Sequence, residues 1–154
     1  MRDLFGKFIV TPATIAEELI NSYKDEFEIE ARPNTKQGFI LYTGNGVLKD
    51  DKKGYHNVSG LYSIHKDGKC LYVGKSDSSI GSRISRFVKE VQGKSRFDEK
   101  HPAGKKYRSY WGSDLSGVTV RVYPCTRQDL IRHNKIENSM ISILNPVLNR
   151  KKRS

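Results

Sequence analysis

Apolar residues recur along this chain with two alternating periods. Thr11-Pro12 reads as a helix cap with proline in the first turn, and Ile15, Leu19, Ile20 and Tyr23 follow at helical spacing, predicting a helix over about 12–25. Short β-prone runs at 27–32 and 38–43 are separated by Pro33, Asn34 and Gly38, and 44–57 reads as a Gly-, Asp- and Lys-rich loop. The sharpest local pattern is Gly60-Leu61-Tyr62-Ser63-Ile64 and Cys70-Leu71-Tyr72-Val73 around Lys66-Asp67-Gly68-Lys69, an antiparallel hairpin. Ser78 or Ser79 then caps a helix to about Val91 with one apolar face of Ile80, Ile84, Phe87, Val88 and Val91. Residues 92–113 lack periodicity and read as a long basic loop, in which Lys and Arg alternate with Phe97, Tyr107, Tyr110 and Trp111. Val118 to Tyr123 alternates as a strand that Pro124 stops. Thr126-x-x-Asp129 resembles a capping box opening a helix through Leu144, which Pro146 terminates.

These elements predict an α+β fold, a small central antiparallel sheet flanked by helices, with an α/β extension at its N-terminus. With 154 residues the chain fits one compact core without staples. It divides into an extension at 1–57, a core at 58–150 containing the basic segment 92–113, and a basic tail at 151–154. Charge sharpens this division. Residues 1–57 hold 8 Lys/Arg against 9 Asp/Glu, leaving 20 against 8 for 58–154, so the whole excess of positive charge is C-terminal. A surplus of that size marks a polyanion partner, because each phosphate contacted by a basic side chain releases condensed counterions. A membrane surface fits less well: there is no basic amphipathic helix, no lipidation signal and no apolar run long enough to span a bilayer.

Cys70 and Cys125 are too few and too far apart for a disulfide framework or a zinc site, and the chain starts without a signal-peptide pattern, which together point to a reducing cytoplasm. Gly74-Lys75-Ser76 ends like a phosphate-binding P-loop, but position 69, where the motif needs glycine, is Lys69. His133-Asn134 falls inside a predicted helix without the hairpin of a His-Asn-His nuclease.

Set in order, Gly60-Leu61-Tyr62, nine residues, Tyr72-Val73-Gly74, then Arg83 on a helix, Glu137 on a later helix and Asn149 resemble the GIY-YIG nuclease superfamily over about 58–150. In organisation the chain is closest to the restriction endonucleases of that group, since only 1–57 and 92–113 are added to the nuclease core. The resemblance implies a bacterial or phage-encoded Mg²⁺-dependent endonuclease, with Mn²⁺ able to substitute, that hydrolyses double-stranded DNA at specific sites. It implies that Tyr62 is the general base or positions the attacking water, that Tyr72 supports it, that Arg83 clamps the scissile phosphate, that Glu137 holds the metal and that Asn149 braces the site. A free phenol ionises near pH 10, so a basic Tyr62 needs a nearby cation, for which Lys75 and Arg83 are the candidates.

One position departs from the pattern: four residues after the helix arginine, where many members carry His or Tyr, stands Phe87. Either Lys75, His101 or Tyr107 takes over its role, or the role is dispensable. Arg86, Lys94, Arg96, Lys105, Lys106 and Arg108 are the candidate DNA contacts. Cutting both strands of a symmetric site calls for a two-fold homodimer. The alternatives are a monomeric nicking or homing-type phage endonuclease, or a catalytically silent DNA-binding protein.

Overall fold

A computed structural model describes residues 11–22, 25–31, 39–43, 46–48, 59–93, 101–124 and 133–149. Their order is α1 (Pro12–Asn21), β1 (Asp25–Ala31), β2 (Phe39–Thr43), β3 (Gly46–Leu48), β4 (Gly60–Lys66), β5 (Lys69–Ser76), α2 (Ile80–Val91), α3 (Pro102–Trp111), β6 (Val118–Pro124) and α4 (His133–Leu144). The fold is α+β. The six strands form one antiparallel sheet in the order β3-β2-β1-β6-β4-β5.

The hairpin forms as its turn chemistry requires. Asp67 and Gly68 both take positive φ (51° and 83°), the geometry of a tight turn matched to the strand twist, which glycine adopts freely and aspartate tolerates. Tyr62 pairs with Gly74 and Ile64 with Tyr72, while between Ile64 and His65 the register slips, leaving Leu71 as the extra residue of a bulge. Ser79 caps α2 by accepting from the backbone N–H of Ser82 at 3.0 Å, and the predicted apolar face is buried throughout. Asn145, at φ 47°, ends α4 and donates its backbone N–H to the Ile141 carbonyl.

Two cores lie on opposite faces of the sheet. One gathers Phe27, Tyr62, Ile64 and Val120 beneath α2 and the start of α3. The other gathers Leu61, Val73 and Tyr123 beneath α1 and α4, through Ala16, Ile136 and Met140. The N-terminal extension is continuous with the core sheet: β1 pairs with β6, and Glu26 meets its cross-strand partner Arg121 in a 3.1 Å ion pair.

Three expectations are corrected. The segment 92–113 is not a loop throughout, because Pro102–Trp111 is a helix. His101 caps it and Pro102 occupies its first turn, while Ala103 and Tyr107 supply a buried stripe one turn apart. Residues 44–57 contain the short strand β3, paired with β2. Helix α1 ends at Asn21, short of residue 25. The Thr126 cap, Cys125 and the basic tail lie outside the described residues, as do Lys94 and Arg96.

Gly104 sets the approach of α3 to α2. A Cβ there would stand 2.6 Å from Glu90 Cβ and 3.0 Å from the Phe87 carbonyl oxygen, so only glycine lets the helices pack this closely. Gly104→Ala is therefore expected to destabilise the fold by about 1–3 kcal/mol, read as a lower urea midpoint at unchanged slope.

Candidate active site

The two tyrosines belong to adjacent strands and one face. Tyr62 on β4 lies across Gly74, its partner on β5, and Tyr72 lies one diagonal step away, with ring centroids 6.1 Å apart. Gly74 makes this possible. A Cβ on it would come within 2.5 Å of both Tyr62 Cζ and Tyr62 Oη, so the phenol occupies the space that any other residue would fill. Gly74→Ala is expected to push the ring aside and to lower any activity that depends on it by tenfold or more, with circular dichroism showing the fold retained.

Around this pair the chain brings together groups distant in sequence. Arg83 from α2 lies close enough to both phenols to lower their pKa values by its charge and by hydrogen bonding. Its buried Nε has no hydrogen-bond partner. Glu137 from α4 acts in the opposite sense, its negative charge raising both phenols. Asn149 clamps the exposed edge of β5 beside Tyr72: its side chain accepts from the Val73 N–H and donates to the Val73 carbonyl, both at 2.9 Å. Leu148 N–H adds a bond to the Leu71 carbonyl at 2.7 Å, so 148–149 shield the strand edge.

His101 completes the cluster. Its Nε2 lies 2.8 Å from Tyr62 Oη, while its Nδ1 accepts the Ala103 N–H at 3.1 Å. Its ring packs edge-on to Tyr72 and to Phe87, at 5.1 and 5.5 Å between centroids. Phe87 is thus an apolar backing for an imidazole that arrives from another helix. Tyr107 lies behind Phe87 and is turned away, donating to the Asp114 carbonyl and accepting from Lys66 Nζ at 3.0 Å. Lys75 pairs with Leu61, and strand alternation places it on the opposite face from the tyrosines. Of the two cations expected beside Tyr62, Arg83 is the one brought to it.

Burial governs the protonation states. It is the largest influence on Tyr62, followed by the repulsion of a second anion at Tyr72, and both outweigh Arg83, so Tyr62 is a neutral phenol far above its usual range. Tyr72 is raised for the same first reason. His101 is pushed down to about 3 by burial and then by the charges of Arg83 and Arg86, so it too is neutral. On the far face of the sheet His65, buried and bonded at 2.7 Å to Ser63 Oγ, is lowered to about 4, burial again leading.

The two histidines give the fold a pH dependence of definite sign. Each binds a proton more readily when unfolded, at about 6.5, than when folded, so stability rises with pH through this window and is lost as pH falls from about 6.5 toward 4. At pH 5 the loss through His101 alone is about 2 kcal/mol. Urea midpoints measured between pH 7 and 5 check this, and His101→Asn is expected to flatten part of the slope.

No three or more His, Cys, Asp or Glu side chains cluster as a metal site among the described residues. Glu137 is the carboxylate whose charge reaches the tyrosines, and a lone carboxylate suits Mg²⁺, which keeps most of its waters, better than a metal needing a full protein cage. Of the expected DNA contacts, Arg86 is half-buried beside the site, Lys105 and Arg108 are exposed on α3, and Lys106 donates to the Leu148 carbonyl at 3.1 Å. Tyr110 and Trp111 are exposed at the far end of that helix. No helix among the described residues is long and apolar enough to cross a membrane.

Set against family models, curated proteins and solved structures, the chain matches none of the three.

Proposed function

We propose that this chain is a Mg²⁺-dependent endonuclease that hydrolyses phosphodiester bonds in double-stranded DNA, of GIY-YIG type and organised like the restriction enzymes of that superfamily. The observation that carries the reading is the convergence of Tyr62, Tyr72, Arg83 and Glu137 from four separate elements, with a buried Arg83 Nε that has no acceptor. An unpaired buried N–H is costly, and a phosphate oxygen is a strong acceptor for it. The surplus of basic residues over 58–154 supports a polyanionic substrate.

Arg83 grips the scissile phosphate through its planar fork and offsets the charge that builds on it during attack. The tyrosine pair, neutral in the resting protein, hydrogen-bonds the attacking water next to that phosphate. Asn149 keeps β5, and Tyr72 with it, in place. Glu137 would hold Mg²⁺ largely through its waters, and the ion would supply positive charge at the leaving oxygen. Arg86, Lys105 and Arg108 would track the backbone of the duplex. A two-fold dimer would carry one such site to each strand.

Incubating the protein with supercoiled plasmid and Mg²⁺, then sequencing the product ends, tests this reading. Linear product with uniform ends is expected. Open circles alone would favour a nicking or homing-type enzyme, and tight binding without cutting across several metals and DNA sequences would favour a silent DNA-binding protein.

A further inference from the structure

The hydrogen bonds around His101 have a direction, and it follows from the cap that His101 makes on α3. A neutral imidazole carries one hydrogen and one free lone pair. The lone pair of Nδ1 is occupied by the Ala103 N–H at 3.1 Å, so the hydrogen resides on Nε2, the nitrogen 2.8 Å from Tyr62 Oη. His101 therefore donates to Tyr62. The opposite tautomer would point Nδ1–H at another N–H and leave the first turn of α3 uncapped. With its inner side occupied by the imidazole, the Tyr62 oxygen must direct its own hydrogen elsewhere, and Tyr72 is the neighbouring phenol, their rings 6.1 Å apart.

We propose that His101, Tyr62 and Tyr72 form a one-way hydrogen-bond relay, in which the His101 cap of α3 fixes each donor and makes Tyr72 the phenol that meets the substrate. The order of burial agrees: Tyr62 is 0% exposed, whereas Tyr72 is only partly covered. His101 remains the neutral donor because burial, Arg83 and Arg86 all disfavour an imidazolium. The relay assigns His101 a positioning role that Phe87 cannot fill from α2, and it excludes His101 as an acceptor of the Tyr62 proton. It also moves the substrate-facing role from Tyr62, where the resemblance placed it, to Tyr72.

The assignment of Tyr72 to the substrate rests on the endonuclease reading; the direction of the relay does not. Long-range proton–nitrogen correlation spectra of the ¹⁵N-labelled full chain at pH 7, with the His101 signals identified by their loss in His101→Asn, read the tautomer directly. Protonated Nε2 and bare Nδ1 are expected. A proton on Nδ1, or on both nitrogens, overturns the relay whatever the protein does to DNA.

Cleavage provides the second arm. Asparagine keeps the helix cap but lacks the reach to Tyr62, so His101→Asn is expected to lower kcat roughly 10- to 100-fold with KM unchanged, the size seen when an outer partner of a reacting group is lost. Tyr72→Phe is expected to cost more than Tyr62→Phe. The reverse order, or wild-type kcat in His101→Asn, overturns the assignment of Tyr72. If the wild-type protein cuts no DNA, the endonuclease reading and the substrate-facing role of Tyr72 both fail, while the nitrogen spectrum still decides the relay.

Discussion

Replacing Arg83 by alanine is expected to reduce DNA cleavage by about 10²–10³-fold, the usual cost of removing one preorganised donor from a site where negative charge develops. The loss should fall on kcat, with DNA binding weakened far less, because the basic residues elsewhere still attract the backbone. Arg83→Lys should recover only part of it, since an ammonium offers a point charge where the guanidinium offers a fork. The same substitution has a second signature. Arg83 is the group that lowers both tyrosines, so without it their pKa values rise further. Single-turnover cleavage beside a binding titration separates these effects, and equal losses in both would mean that Arg83 only holds DNA.

Glu137→Gln carries the other large effect. Glutamine keeps the shape and removes the charge, and a metal-held step loses on the order of 10²-fold or more when its anionic ligand goes. Raising Mg²⁺ should restore a fraction of the rate. Glu137 raises the pKa of both Tyr62 and Tyr72, so the phenols of the variant ionise more readily than before. A rate that fell only because the tyrosines were mispositioned would show no metal rescue, and the two causes can therefore be told apart.

How much of this was legible in the sequence depends on how local each feature is. The hairpin was readable because Asp67-Gly68 between two β-prone runs permits little else, and α2 because its apolar face repeats over three turns behind a serine cap. Alternation along Tyr72-Val73-Gly74-Lys75 turns Lys75 away from Tyr72, although the two residues are near neighbours in the chain. Helix α3 was hidden because Gly104, two lysines and an arginine dilute its apolar stripe, yet His101-Pro102 is a cap followed by proline in the first turn.

What no local pattern could show is which side chains meet across the fold. Tyr62 and His101, 39 positions apart in the chain, are brought together by the packing of α3 on α2, which depends on Gly104. Phe87 had the look of a missing catalytic group; in the fold it is the surface against which His101 stands. The cradle at Gly74 is similar, since a glycine ending a tyrosine motif does not announce that a second tyrosine lies across it.

The central claim is that Tyr62, Tyr72, Arg83 and Glu137 form one hydrolytic site, and the most direct measurement is a time course of supercoiled plasmid with Mg²⁺ for the wild-type chain and Glu137→Gln side by side. The account predicts that the wild-type chain converts the plasmid to cut product, that chelating the metal stops it, and that the variant binds the plasmid but leaves it supercoiled over the same period. Equal cutting by both proteins, or DNA bound and left intact by the wild-type chain with every metal tried, would contradict it.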